Sequence, residues 1–154
     1  QQFRLGDVMK EIESLMKAQL QARGIRLHYD SRSPIVMCSY KKELAHVLIN
    51  LIANARDAYE GKHLDAKPIE ILLAQAEDET IHISVRDHAG GISPENMDKI
   101  FNPYFTTKDQ GKGTGIGLYM SKRIVCEILK GMIEAVNTES GAEFIITFKN
   151  KYIS

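Results

Sequence analysis

Between His46 and Gly61 the sequence HVLINLIANARDAYEG places apolar side chains at Val47, Leu48, Leu51, Ile52, Ala55 and Ala58. That spacing is the mark of one buried helix face, and a helix with a single apolar stripe needs a second layer to hide it. Asn50 and Asn54 stand four residues apart and project from the same side, and Asp57 continues their row. An amide oxygen is a hard, neutral ligand, and magnesium takes oxygen ligands. The row therefore suits a magnesium ion that carries substrate phosphates. Asparagines in helices are also ordinary surface or cap residues, so the row gains weight only from the rest of the chain.

The flanking segments fix the layers. Residues 7–22 repeat Val8, Ile12, Leu15, Met16 and Leu20 at helical spacing and stop at Gly24. Residues 24–30 and 34–39 read as short strands around a turn at 31–33. Ser39 is placed to cap the central helix, and Gly61 to end it. Residues 69–76 and 80–87 read as an antiparallel hairpin, with Ile81, Ile83 and Val85 alternating with His82, Ser84 and Arg86. Pro94 opens a short helix at its permitted first position. The spacing predicts a further helix over 114–130, burying Ile116, Met120, Ile124, Val125 and Ile128 and stopping at Gly131. MIEAVN and EFIITFK, on either side of TESGA, close the chain as a second hairpin. Strand pairs joined by hairpins, with three helices to cover one face, predict a two-layer α/β sandwich on a mixed, mostly antiparallel sheet. Repeated right-handed crossovers are missing, which argues against a doubly wound nucleotide fold. No linker divides residues 1–154, so one domain is expected.

Composition narrows the partners. Lys plus Arg and Asp plus Glu balance at 20 each, so bulk basicity offers no nucleic-acid footprint. The apolar runs fall short of the roughly 20 residues of a membrane span, and the N-terminus QQFRLGDVMKEIE has no signal-peptide character. Cys38 and Cys126 read as buried small hydrophobes of a reducing, cytoplasmic compartment. The first residue is not methionine, and a fragment of a longer protein is expected.

Six of the 11 glycines fall at positions 90, 91, 111, 113, 115 and 117. Glycine lets a ligand approach the main chain. GKGTGIGL runs directly into a helix, whose unpaired first amides suit phosphate oxygens, and it lacks the spacing of a Walker A loop. In RDHAGGI, at a strand end, Asp87 is able to accept from an exocyclic amine and so to select adenine over guanine. Between the clusters lies IFNPYFTTKDQ, with Phe101, Tyr104, Phe105 and Lys108. Residues 101–113 have no periodicity, and a loop of that length is expected to be a functional lid.

These stretches resemble, in order, the four boxes of the ATP-binding domain of bacterial sensor histidine kinases, nearest the nitrogen-regulation type. NLIANARDA is similar to the asparagine box, DHAGGI to the first glycine box, IFNPYFTTK to the phenylalanine box and GKGTGIGL to the second glycine box. The superfamily includes DNA gyrase, heat-shock chaperones and mismatch-repair ATPases, and its fold is the GHKL, or Bergerat, ATP-binding fold. The resemblance implies ATP and Mg2+ as cofactors, with Asn54 as the metal ligand. It makes Asn50, near the phosphates, and Lys108 the expected catalytic groups. Asp87 and Gly91 would meet the base. Lys108 and the amides of Gly113, Thr114, Gly115, Gly117 and Leu118 would face the phosphates, and Asp57 and Ile92 complete the expected contacts. Where hydrolysing relatives carry a glutamate that activates water, Asn50 cannot act as a base, which fits transfer to a protein side chain.

The chain departs from the pattern in three places. Ala89 replaces a glycine of the first glycine box. Asp57 and Ala58 stand where many sensor kinases carry a basic residue and tyrosine. No phosphoacceptor box occurs, and His28, His46, His63, His82 and His88 are not expected to serve. The resemblance implies an upstream dimerisation and phosphoacceptor domain, a response regulator as partner and a homodimeric parent, with the parent's membrane anchorage left open. Two other readings stay open at this point: a serine protein kinase of the anti-sigma type, and a nucleotide-binding module without transfer activity.

Overall fold

The computed structural model describes residues 1–106 and 116–150. Strand β1 (Gln2–Arg4) leads into helix α1 (Leu5–Ala22). Strands β2 (Ile25–His28) and β3 (Val36–Cys38) precede the central helix α2 (Lys41–Ala58). Then come β4 (Lys67–Gln75), β5 (Thr80–Arg86) and the short α3 (Pro94–Met97), with proline in its first turn. Helix α4 (Gly117–Arg123) continues into a π-helical turn (Ile124–Ile128), and β6 (Met132–Asn137) and β7 (Ala142–Lys149) end the described chain.

Five strands form one sheet in the order β2-β4-β5-β7-β6. Only β2 against β4 is parallel; the other three pairings are antiparallel. The hairpins β4–β5 and β6–β7 occur as expected. The expected neighbourhood of β2 and β3 does not: β2 pairs with β4, while β3 pairs with β1 in a separate two-stranded sheet. Asn150, 5% exposed, holds β3 in place through Cys38 N (3.0 Å) and Val36 O (2.8 Å).

Side chains alternate across a sheet, and the register shows which face is covered. Ile71, Val85, Phe144 and Ala135 share one row, and Leu73, Ile83, Ile146 and Ile133 the next. These rows belong to the core, together with Leu44, Val47, Leu48, Leu51, Ile52 and Ala55 of α2. Helix α1 adds Leu5, Val8, Met9, Ile12, Met16 and Leu20. Leu15, expected inside, is 69% exposed, because it lies on the rim of that stripe. Ala58, expected on the buried face of α2, is also exposed.

The helix ends correct the sequence reading in three places. Tyr40, not Ser39, flanks α2, and no side chain caps it; the Ser39 amide instead extends the β1–β3 pairing by bonding Gln1 O at 3.1 Å. In the π turn, Leu129 N bonds Ile124 O at 3.0 Å, and this wider turn shifts the inward face by one residue. Leu129 is therefore buried at 2%, whereas Ile128 is 36% exposed. At the C-terminal end of this helix Lys130 takes the left-handed conformation (φ 58°), and Gly131 serves close approach instead, since a Cβ there would lie 2.2 Å from Thr147 O. Neither cysteine is buried: Cys38 is half-buried and Cys126 exposed, the latter because it lies on the outer side of the π turn.

Candidate functional site

Helix α2 organises the site from both ends. Toward α4, Asn50 Nδ2 donates to Ser121 Oγ at 3.4 Å, and Ser121 is fully buried. One turn later Asn54 is half-buried, and among the described residues its carboxamide has no hydrogen-bond partner. Asp57 is engaged by cations from two directions. Its Oδ1 lies 3.2 Å from Arg23 Nη1 and 3.0 Å from Arg56 Nε, which draws that carboxylate into the α1–α2 contact.

At the far end of α2 the buried Tyr59 reaches the first glycine box. Its hydroxyl donates to Pro68 O at 2.6 Å and accepts from His88 N at 2.8 Å. This bridge ties α2 to the entry of β4 and to the residue after Asp87. Burial raises the Tyr59 hydroxyl above its ordinary pKa, with the His88 amide opposing.

Asp87 is 3% exposed at the end of β5. Its Oδ1 accepts from Ala89 N at 3.0 Å and Ala142 N at 3.3 Å, while among the described residues its Oδ2 has no partner. Burial pushes the carboxyl up, and the two amides oppose that shift. The side chain is thus held rigidly by one oxygen and keeps the other available as an acceptor. Ala89, where the first glycine box has a glycine, is 7% exposed and belongs to the core. Gly90 and Gly91 both take positive φ, 101° and 86°, which the turn requires. Ile92 follows, half-buried against the core.

His88 is held on both sides: its Nε2 lies 2.6 Å from Glu70 Oε1, and its Nδ1 bonds Ser140 Oγ. His46 and His82, read from the sequence as structural, are exposed.

Phe101 packs edge-on against Phe144 of β7, with centroids 6.1 Å apart and planes at 85°. Lys122 Nζ sits 5.5 Å from the centre of the same ring. Phe105 is half-buried against the core, whereas Tyr104 is 76% exposed with a left-handed backbone (φ 66°). Gly117 begins α4 without a side-chain cap, and Leu118 is half-buried beside it. Lys108, Gly113, Thr114 and Gly115 lie outside the described residues, as does much of the expected lid.

The donor set fits magnesium brought by a nucleotide. Among the described residues no group of three His, Cys, Asp or Glu side chains could hold a metal unaided. A half-buried amide without a protein partner instead offers one hard oxygen, and phosphate oxygens complete such a shell.

Sequence reasoning named Asn50, Asn54, Asp87, Gly91 and Ile92, but not Tyr59, Asn137, Ser140 and Gly141, which shape the loop that carries Asp87, Gly91 and Ile92. The visible signals were an aromatic at the helix end and the turn-forming run Asn137–Gly141.

A buried carboxylate on a glycine turn and an amide row on a helix over a mostly antiparallel sheet are the arrangement that the resemblance to the GHKL ATP-binding fold implies. The model of the family described as histidine kinase-, DNA gyrase B-, and HSP90-like ATPases matches residues 40–152, and the chain belongs to that family. It is 41% identical over 106 residues to the two-component sensor PprA of Pseudomonas aeruginosa, covering 68% of this chain and 11% of that protein. It is 31% identical over 150 residues to sporulation kinase A of Bacillus subtilis, covering 96% of this chain and 23% of that protein. The chain thus spans less than a quarter of either relative. Among solved structures, the catalytic domain of the histidine kinase ThkA superposes with a TM-score of 0.82 at 27% identity, over 97% of this chain and 95% of that one. ThkA in complex with the response regulator TrrA gives a TM-score of 0.78 at 24% identity, over 98% of this chain and 42% of that one. Among the described residues no helix is long and apolar enough to cross a membrane.

Proposed function

We propose that this domain binds ATP with magnesium and donates the terminal phosphoryl group to a histidine on a separate domain, in two-component signalling. The single observation that carries the reading is Asp87: a buried carboxylate fixed by two backbone amides, with one oxygen left to accept from the adenine amine. Its setting within a histidine kinase catalytic fold supports transfer.

Each residue then has a distinct task. Asp87 selects adenine, and Gly91 and Ile92 line the base side. Asn54 supplies an oxygen to magnesium, which when bound neutralises charge building on the phosphates. Asn50 has no proton-accepting group and so does not activate water. The acceptor imidazole nitrogen forms the new N–P bond, the bond from phosphorus to the bridging oxygen breaks, and ADP leaves with that electron pair. Lys108 and the amides of Gly113, Thr114, Gly115, Gly117 and Leu118 are proposed to steady the phosphates. The acceptor belongs to a dimerisation domain of a homodimeric, cytoplasmically exposed parent, and a response regulator receives the group next, as the pairing of ThkA with TrrA suggests.

The test is incubation of the domain with labelled ATP and a matching acceptor domain. Acid-labile label on that acceptor is the expected result. Acid-stable label would favour a serine kinase, and ATP binding without label would favour a nucleotide-binding module. The isolated domain is expected not to label itself.

A further inference from the structure

The base-side loop does not hold its own shape. From Asp87 to Ile92 it is laid against the turn that joins β6 to β7. Asp87 N bonds Ala142 O at 3.0 Å, and Gly90 N bonds Ser140 O at 3.0 Å. His88 Nδ1 meets Ser140 Oγ. At the end of the loop Asn137 closes both sides of one peptide residue: its Oδ1 accepts from Ile92 N at 2.8 Å, and its Nδ2 donates to Ile92 O at 2.8 Å. The turn has its own brace, with Thr138 N on Gly141 O at 2.8 Å and Gly141 N on Thr138 Oγ1 at 3.0 Å.

The fit at Asn137 is close. A Cβ built on Gly91 would lie 2.8 Å from Asn137 Oδ1 and 3.3 Å from Gly141 O. Gly91 is therefore glycine for two reasons, its φ of 86° and the space Asn137 occupies. Asn137 itself is exposed, belongs to no glycine or asparagine box, and has no burial requirement of its own.

Resting on the nucleotide reading above, we propose that Asn137 is a positioning residue for the base. It pre-shapes Gly91 and Ile92 before nucleotide arrives, so the binding energy of the adenine is not spent on ordering the loop. It acts at the base end of the ligand and leaves the phosphate end unaffected.

The experiment compares binding of Mg-ATP, adenosine and inorganic tripolyphosphate to the native chain, Asn137→Ala and Asn137→Asp. Two hydrogen bonds near the surface correspond to a loss of about three- to thirtyfold. Asn137→Ala is expected to weaken ATP and adenosine by the same factor within that range and leave tripolyphosphate unchanged. Asn137→Asp, which keeps the acceptor for Ile92 N, is expected to recover part of the loss. Amide exchange at Ile92 should quicken in Asn137→Ala. Unchanged adenosine affinity in Asn137→Ala, or an equal loss for tripolyphosphate, overturns the positioning role. If the alanine variant does not fold, Asn137→Asp is read by the same criterion. A native chain that binds none of the three probes overturns the nucleotide reading itself, and this role with it.

Discussion

Gly141 stands so close to Asp87 that a Cβ built on it would lie 2.0 Å from the Asp87 carbonyl oxygen and 2.8 Å from Oδ1. The neighbours are backbone and a fixed carboxylate, neither of which is free to yield. The approach lets the Ala142 amide reach Asp87 Oδ1. A glycine in a hairpin turn thereby controls a carboxylate 54 positions earlier in the chain.

Gly141→Ala is expected to push the start of β7 away from β5. Overpacking of this kind costs about 1–3 kcal/mol, roughly 2–4 °C in melting temperature per kcal/mol for a chain of this size. Thermal unfolding checks the stability, and calorimetry should show weaker ATP binding because Asp87 Oδ1 loses a donor. A variant with native melting temperature and native affinity would contradict the geometry.

Asp87→Asn separates stability from recognition. The asparagine oxygen can still accept from Ala89 and Ala142, but its nitrogen then faces the adenine amine, donor against donor. ATP affinity is expected to fall about ten- to a hundredfold, and the native preference for ATP over GTP to shrink.

The same carboxyl sets a pH dependence. Its folded pKa is raised above the ordinary 3.8, so between those two values the folded chain binds more protons than the unfolded one. Its contribution to stability therefore declines as pH rises through that window and is constant above it. Asp87→Asn should be at least as stable as the native chain at pH 7, with the difference closing below pH 3.8. Native ATP affinity should move the opposite way, rising with pH through the window as the acceptor ionises. Denaturant unfolding and calorimetry across pH would detect a flat profile, which counts against the burial assignment.

Asn54→Ala is expected to leave the fold intact, because Asn54 is not among the core residues of α2. Magnesium-dependent ATP affinity should drop about tenfold or more, while binding measured with chelator present stays near native. Equal loss in both conditions would remove Asn54 from the metal shell.

Tyr59→Phe keeps the ring but strips the bridge between Pro68 O and His88 N. Leaving buried polar groups unpaired costs about 1–3 kcal/mol. Urea unfolding at unchanged m-value should report that loss; a native midpoint would mean that water replaces the hydroxyl.

Local chemistry alone announced most elements of this protein, though not the short β1. Apolar spacing in α2 announced its buried face, alternation in 80–87 announced β5, and Pro94 announced α3, because helix and strand periods are written within a few residues. The four boxes likewise singled out Asn50, Asn54 and Asp87 as candidates, because the resemblance assigns those positions their roles. What required the tertiary structure was chiefly what contacts distant in sequence set, together with one local departure from the regular helix. The parallel pairing of β2 with β4, rather than a neighbourhood with β3, joins strands about 42 positions apart, from Ile25 with Lys67 to His28 with Glu70. The π turn moved Leu129 inward and Ile128 outward, a shift no 3.6-residue period can foresee. Asp57 was drawn to Arg23 because α1 ends beside α2, in addition to its sequence neighbour Arg56. The hold of Tyr59, Asn137 and Ala142 on the loop around Asp87 joins residues 29 to 55 positions apart, and only folding brings such groups within hydrogen-bond reach.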